Sequence, residues 1–157
     1  MALSVGTKAP LFTLKSKTTD GMIDVSLADH IGTDIVVLMF VPGAFTSVCT
    51  DQFCQMSDGR QDVPGAVVYG ISVDSAYCQA AWKKDDGITM TLLSDFTHKV
   101  TQDYDVVLDS LSGMGPASLR ASFVIDKAGN IAYAEVTEST LHMVNFDAIK
   151  AAVAGLG

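Results

Sequence analysis

Among 157 residues there are three cysteines, three histidines and only ten Lys and Arg side chains together. The cysteine best placed for chemistry is Cys49, in Val41-Pro42-Gly43-Ala44-Phe45-Thr46-Ser47-Val48-Cys49-Thr50. The apolar run Ile35–Phe40 before it reads as a buried strand. Pro42 and Gly43 end that strand and turn the chain. Thr46 and Ser47 fall where a helix N-cap is wanted, which puts Cys49 in the first helical turn. Unpaired N–H groups and the positive end of the helix dipole favour a thiolate there, the nucleophilic form of cysteine. The competing reading, a small buried apolar side chain, is a common fate of free cysteine.

Cys54 lies five residues on. On an α-helix that spacing separates the two Cα atoms by roughly 8–9 Å, whereas a disulfide wants about 4.4–6.8 Å. If the two are redox partners, the first turns of the helix must unwind in each cycle. Their spacing is too wide for a zinc knuckle, and His30, His98 and His142 are isolated from one another in the sequence, so no metal site is expected. Cys78 opens a second predicted helix, four residues before Trp82. It reads as a packing residue, with a second resolving thiol as the sharper alternative. Arg120 sits between a glycine-containing loop and an apolar strand. A guanidinium near Cys49 would favour the thiolate and bind an anionic oxygen.

The elements that would position these groups follow from the patterning. Short strands are expected at 11–15 and 22–27, around a turn at Asp20-Gly21. A loop or single helical turn at 28–33 leads to the buried strand 35–41. The site helix runs from 47 to about 58. A second buried strand (66–73) precedes a helix over 76–85, capped by Asp74 or Ser75 and stopped at Gly87. An extended segment at 90–94, a short helix at 97–104 and a loop at 109–119 follow. Strands at 121–126 and 131–136 flank a hairpin-type connection. The last helix, 145–154, has Asn145 as its cap and Phe146, Ile149 and Val153 on one face. The order describes one α/β domain over 1–157 with a central mixed sheet.

The net charge of −8 argues against nucleic-acid binding and against adhesion to anionic membranes. No apolar run is long enough to span a bilayer. No secretory signal is visible, and an odd cysteine count suits a reducing, cytoplasmic compartment.

Taken together, Pro42, Thr46, Cys49 and the distant Arg120 resemble the peroxiredoxin signature Pro-x-x-x-Thr-x-x-Cys with its late arginine. The resemblance extends over nearly the whole chain. It includes Val5–Pro10, Ser72-Val73-Asp74-Ser75, Leu92-Leu93-Ser94-Asp95 and Arg120–Ile131. Cys49 followed by Cys54 is similar to the bacterioferritin comigratory protein (peroxiredoxin Q) group, whose resolving cysteine occupies the same helix. Pro42–Thr46, Leu92–Phe96 and Ala134-Glu135 are similar to the one-cysteine alkyl hydroperoxide reductase E group. A late Val-Cys-Pro motif is absent, which speaks against the type that bridges subunits through a C-terminal cysteine. Gln52 stands where many relatives have glutamate; it can hydrogen-bond to Arg120 but cannot pair its charge.

The resemblance implies a thioredoxin-like fold and thiol-dependent reduction of hydrogen peroxide and organic hydroperoxides. Cys49 would be the peroxidatic residue, Thr46 and Arg120 would hold thiolate and peroxide, and Pro42 would shield the sulfur. Cys54 would resolve the sulfenic acid as an intramolecular disulfide, with Cys78 or an external thiol as alternatives. Thioredoxin or glutaredoxin would supply the electrons, to a monomer or homodimer, and no metal, flavin or haem is called for. Two other classes stand against this reading. A thioredoxin-like disulfide oxidoreductase normally needs Cys-x-x-Cys, which is absent. A non-catalytic binding or chaperone-like module would leave the cysteines inert. Neither a Gly-x-Gly-x-x-Gly fingerprint nor a P-loop is present to suggest nucleotide binding.

Overall fold

The computed structural model describes residues 2–157. Its strands are β1 (Thr13–Thr18), β2 (Gly21–Ser26), β3 (Val36–Phe40), β4 (Val67–Ser72), β5 (Thr91–Ser94), β6 (Val107–Leu108), β7 (Ala117–Ser118), β8 (Ala121–Ile125) and β9 (Ile131–Val136). Its α-helices are α1 (Ser47–Ser57), α2 (Ala76–Asp86), α3 (Lys99–Asp103) and α4 (Phe146–Leu156). Seven strands form one mixed sheet in the order β2-β1-β5-β4-β3-β8-β9. The three central strands β5, β4 and β3 are parallel, and the outer pairs on each side run antiparallel.

Every residue of β3 is buried because both of its faces are covered. Val36, Leu38 and Phe40 point to one core, with Tyr104 and Phe123. Val37 and Met39 point to the other, with Phe53 of α1, Trp82 of α2 and Ile149 of α4. A strand buried on both faces reads as a continuous apolar run, the signal that Ile35–Phe40 carries. The central β3 therefore ends at a fixed point, and the Cys49 loop starts from it.

Most predicted elements lie within two or three residues of their observed limits. The first strand is displaced the furthest, to Thr13–Thr18, because it follows its hairpin partner β2 right up to the turn at Thr18↔Gly21. The region 109–119 is not wholly loop. Its last turns are closed by the short ladder Val107↔Ser118 and Leu108↔Ala117, a two-residue pairing too short to leave an alternating pattern. Asn145 and Ser75 cap their helices as expected, accepting from the amides of Ala148 and Cys78. His30 is a satisfied residue, held by Asp34 at 2.8 Å and by the Tyr69 hydroxyl at 2.7 Å. Among the described residues no helix is long and apolar enough to cross a membrane.

Gly70 is where α1 meets the sheet. A Cβ built there would stand 2.7 Å from both Leu92 Cδ2 and Phe53 Cζ, closer than carbon atoms approach. Gly70→Ala is therefore expected to lower stability by about 1–3 kcal/mol through overpacking, measured as a shift in the chemical denaturation midpoint at unchanged slope.

Candidate active site

The chain leaves β3 at Phe40 and makes a tight turn into α1. Within that turn Phe45 has a left-handed backbone, φ 63°, a conformation that costs free energy for a residue with a Cβ. Two hydrogen bonds hold it. The Ala44 amide donates to Asp74 Oδ2 at 2.7 Å, and the Thr46 hydroxyl donates to the Gly43 carbonyl at 2.8 Å. Asp74 is itself fixed, since its carbonyl accepts from the Ser94 hydroxyl at 2.6 Å.

Thr46 occupies the N-cap position of α1, but its side chain does not cap the helix. This corrects the expectation from sequence: the hydroxyl is turned to donate to Gly43 within the turn, and its oxygen accepts from no first-turn amide. The first helical bond runs from the Thr50 amide to the Thr46 carbonyl, so the amides of Ser47, Val48 and Cys49 lie ahead of the ladder. With its proton engaged, Thr46 Oγ1 has lone pairs left to accept a further hydrogen bond.

Cys49 is 1% exposed and lies at the bottom of a pocket of about 230 Å³. Pro42, Thr46, Leu111, Arg120 and Leu141 are among its walls. Arg120, also 1% exposed, enters from the start of β8. Its NH2 lies 3.2 Å from Cys49 Sγ, and its NH1 donates to Gln52 Oε1 at 3.2 Å. Nε and NH2 both donate to the Thr140 carbonyl, at 3.1 and 2.7 Å. Among the described residues no carboxylate pairs with Arg120. A buried guanidinium surrounded by neutral acceptors favours an anionic sulfur beside it.

Pro42, Thr46, Cys49 and Arg120 thus come together from two distant stretches of the chain. Cys54 does not join them. It lies further along α1, where its thiol donates to the Asp86 carbonyl at the end of α2, 3.3 Å away. Burial and the nearby Asp86, Asp51 and Asp58 push the Cys54 thiol above the ordinary value. Cys78 sits in the first turn of α2, half-buried, and burial and Asp74 push its thiol up as well. All three cysteines are free thiols. Trp82 is fully buried between the helices and donates from Nε1 to Thr50 Oγ1 at 2.9 Å, which ties α2 to the first turns of α1. No group of three or more metal-ligating side chains occurs among the described residues.

Reasoning from the sequence missed the Thr140 carbonyl, the Asp74 tie and the two leucines that wall the pocket. A backbone carbonyl leaves no residue-type signal. Leu111 and Leu141 lie in irregular segments where no periodicity marks a facing direction. Asp74 stood in a recognisable motif, but its reach to Ala44 depends on the tertiary turn.

The chain matches the AhpC/TSA family over residues 5–134. It is 34% identical over 138 residues to a thioredoxin peroxidase of Echinococcus granulosus, covering 82% of this chain and 69% of that protein. It is 35% identical to a Haemophilus influenzae protein named as peroxiredoxin bcp, covering 82% of this chain and 83% of that one. The chain spans 65% of the length of a 2-Cys peroxiredoxin of Hordeum vulgare, at 31% identity. Among solved structures, the reduced 2-Cys peroxiredoxin of Plasmodium vivax superposes with a TM-score of 0.84 at 31% identity, covering 97% of this chain and 81% of that one. BcpB of Mycobacterium tuberculosis superposes with a TM-score of 0.82 at 25% identity, covering 99% of both chains. The mixed sheet with its flanking helices is the thioredoxin-like arrangement of these proteins.

The Cys54 environment has a direct consequence. A raised thiol value leaves less thiolate at neutral pH, so alkylation of Cys54 is expected to be slow there and to accelerate only above the ordinary cysteine range. Asp86→Asn removes one of the acidic neighbours and should shift that rise to lower pH; peptide-resolved alkylation kinetics check it.

Proposed function

Because the chain belongs to the AhpC/TSA family, the peroxiredoxins, we propose that it reduces peroxides at Cys49 and completes the cycle through Cys54. The observation that carries this reading is the 3.2 Å approach of the buried Arg120 to Cys49 Sγ at the foot of a pocket. The thiolate attacks the terminal peroxide oxygen in line with the O–O bond. The S–O bond forms as the O–O bond breaks, Cys49 becomes a sulfenic acid, and the leaving oxygen takes a proton to depart as water or an alcohol. The protein supplies position and charge. Arg120 stabilises the thiolate and the departing oxygen, and Thr46 Oγ1 accepts from the peroxide hydrogen. The first-turn amides of α1 add donors, while Pro42 keeps water from the sulfur.

Resolution needs a change of shape. Cys54 faces α2, and the helical spacing of roughly 8–9 Å between the Cα atoms exceeds the disulfide range. The first turns of α1 therefore unwind before the Cys54 thiol condenses with the sulfenic acid, releasing water and forming the disulfide. An external dithiol of the thioredoxin or glutaredoxin type then restores both thiols. The name of the Echinococcus relative, a thioredoxin peroxidase, supports the choice of reductant. A half-buried Cys78 on the neighbouring helix is the second candidate for the resolving role.

One equivalent of hydrogen peroxide, intact mass and peptide mapping without reduction test the cycle. The expected result is a loss of two hydrogens mapped to Cys49–Cys54. A linkage to Cys78 moves the resolving role to α2. One added oxygen on Cys49 with no disulfide makes the resolving thiol external, and an unmodified Cys49 overturns the peroxidase reading. Separately, Cys49→Ser should abolish thioredoxin-coupled turnover. Arg120→Ala should slow peroxide consumption by about a hundredfold or more, the scale of losing one preorganised charge-stabilising donor, as read by stopped-flow kinetics.

A further inference from the structure

We propose that Gln52 makes the Cys49 pocket receptive to peroxides that carry a negative charge, a substrate preference that rests on Cys49 and Arg120 acting as described above. Gln52 lies one helical turn beyond Cys49 and is fully buried. Its Oε1 accepts from Arg120 NH1 at 3.2 Å, while its Nε2 faces Met39 Sδ at 3.8 Å. The amide therefore stands where a carboxylate would neutralise the guanidinium, and it brings no charge of its own.

The charge count decides what the pocket tolerates. With Cys49 as thiolate and Arg120 as guanidinium, the two formal charges cancel. No acidic side chain is among the described lining residues, and no carboxylate pairs with Arg120 from behind. An incoming anionic peroxide meets a neutral pair, with the first-turn amides of α1 adding positive character. A glutamate at position 52 would leave the same site with one net negative charge. In a partly buried site, that charge would disfavour a second anion by about tenfold or more. The overall charge of −8 does not reverse this. It is carried largely by exposed side chains and screened within about 8–10 Å at physiological salt.

A short aliphatic hydroperoxide bearing a carboxylate, and its methyl ester, match in shape and differ in charge. Their kcat/KM values at pH 7.5 are compared in the full chain, in Gln52→Glu and in Gln52→Leu. The carboxylate-to-ester ratio is read within each protein, so a smaller folded fraction cancels. The expected result is a ratio of one or more in the parent chain, a fall of about tenfold in Gln52→Glu and an unchanged ratio in Gln52→Leu. A Gln52→Glu ratio equal to that of the parent chain overturns the proposal. So does a Gln52→Leu ratio that falls as far as that of Gln52→Glu, because the effect would then be shape and not charge. If the parent chain consumes hydrogen peroxide but reduces neither compound, the proposal is overturned; if it does not consume hydrogen peroxide either, the peroxidase reading itself fails.

Discussion

A guanidinium with no acid beside it sets the terms for this molecule. Arg120 is almost wholly buried and is met by a glutamine amide, a backbone carbonyl and a thiol. Burying an unpaired cation is expensive. Two bonds to the Thr140 carbonyl offset part of that cost, and a thiolate at Cys49 is the available counter-charge. The thiol and the guanidinium are thus one hydrogen-bonded unit, assembled from residues 71 positions apart. The rest of the fold works to keep those two side chains in contact, 3.2 Å apart.

That requirement explains where rigidity is concentrated. The parallel strands β5, β4 and β3 form the middle of the sheet, and β8 pairs with β3 on its other side. Cys49 follows β3 and Arg120 precedes β8. The register Phe40↔Ala121 places the end of one strand against the start of the other. The turn between β3 and α1 is held by side chains and not by the ladder. Asp74 and the Thr46 hydroxyl tie it down beside the left-handed Phe45. Local backbone strain is paired there with local hydrogen bonds.

Much of this was legible in the residues. The unbroken apolar run Ile35–Phe40 gave away a strand buried on both faces, and Pro42-Gly43 gave away its end. Asn145, Ser75 and Gly87 mark helix limits because capping is a local interaction between neighbours. Cys49 could be placed in a first helical turn for the same reason. What stayed hidden depended on tertiary closure. Thr46 looked like a capping residue, yet the turn orients its hydroxyl back to donate to Gly43, and no first-turn amide donates to its oxygen. The β6–β7 ladder is too short to carry alternation. The Thr140 carbonyl, which takes two of Arg120's hydrogen bonds, belongs to a polar stretch of no distinctive composition.

The hydrogen bond from Trp82 to Thr50 has an optical consequence. Trp82 is the only tryptophan in the chain, and its indole is buried against α1 one residue past Cys49. The chain thus carries an intrinsic fluorophore on α2, packed against the first turns of α1 that hold Cys49. Were those turns to separate from α2, the indole would lose a hydrogen-bond acceptor and gain water, and its emission would move to longer wavelength. Any opening of α1 would therefore be readable in the unlabelled protein, in real time, from the wavelength of its ultraviolet emission.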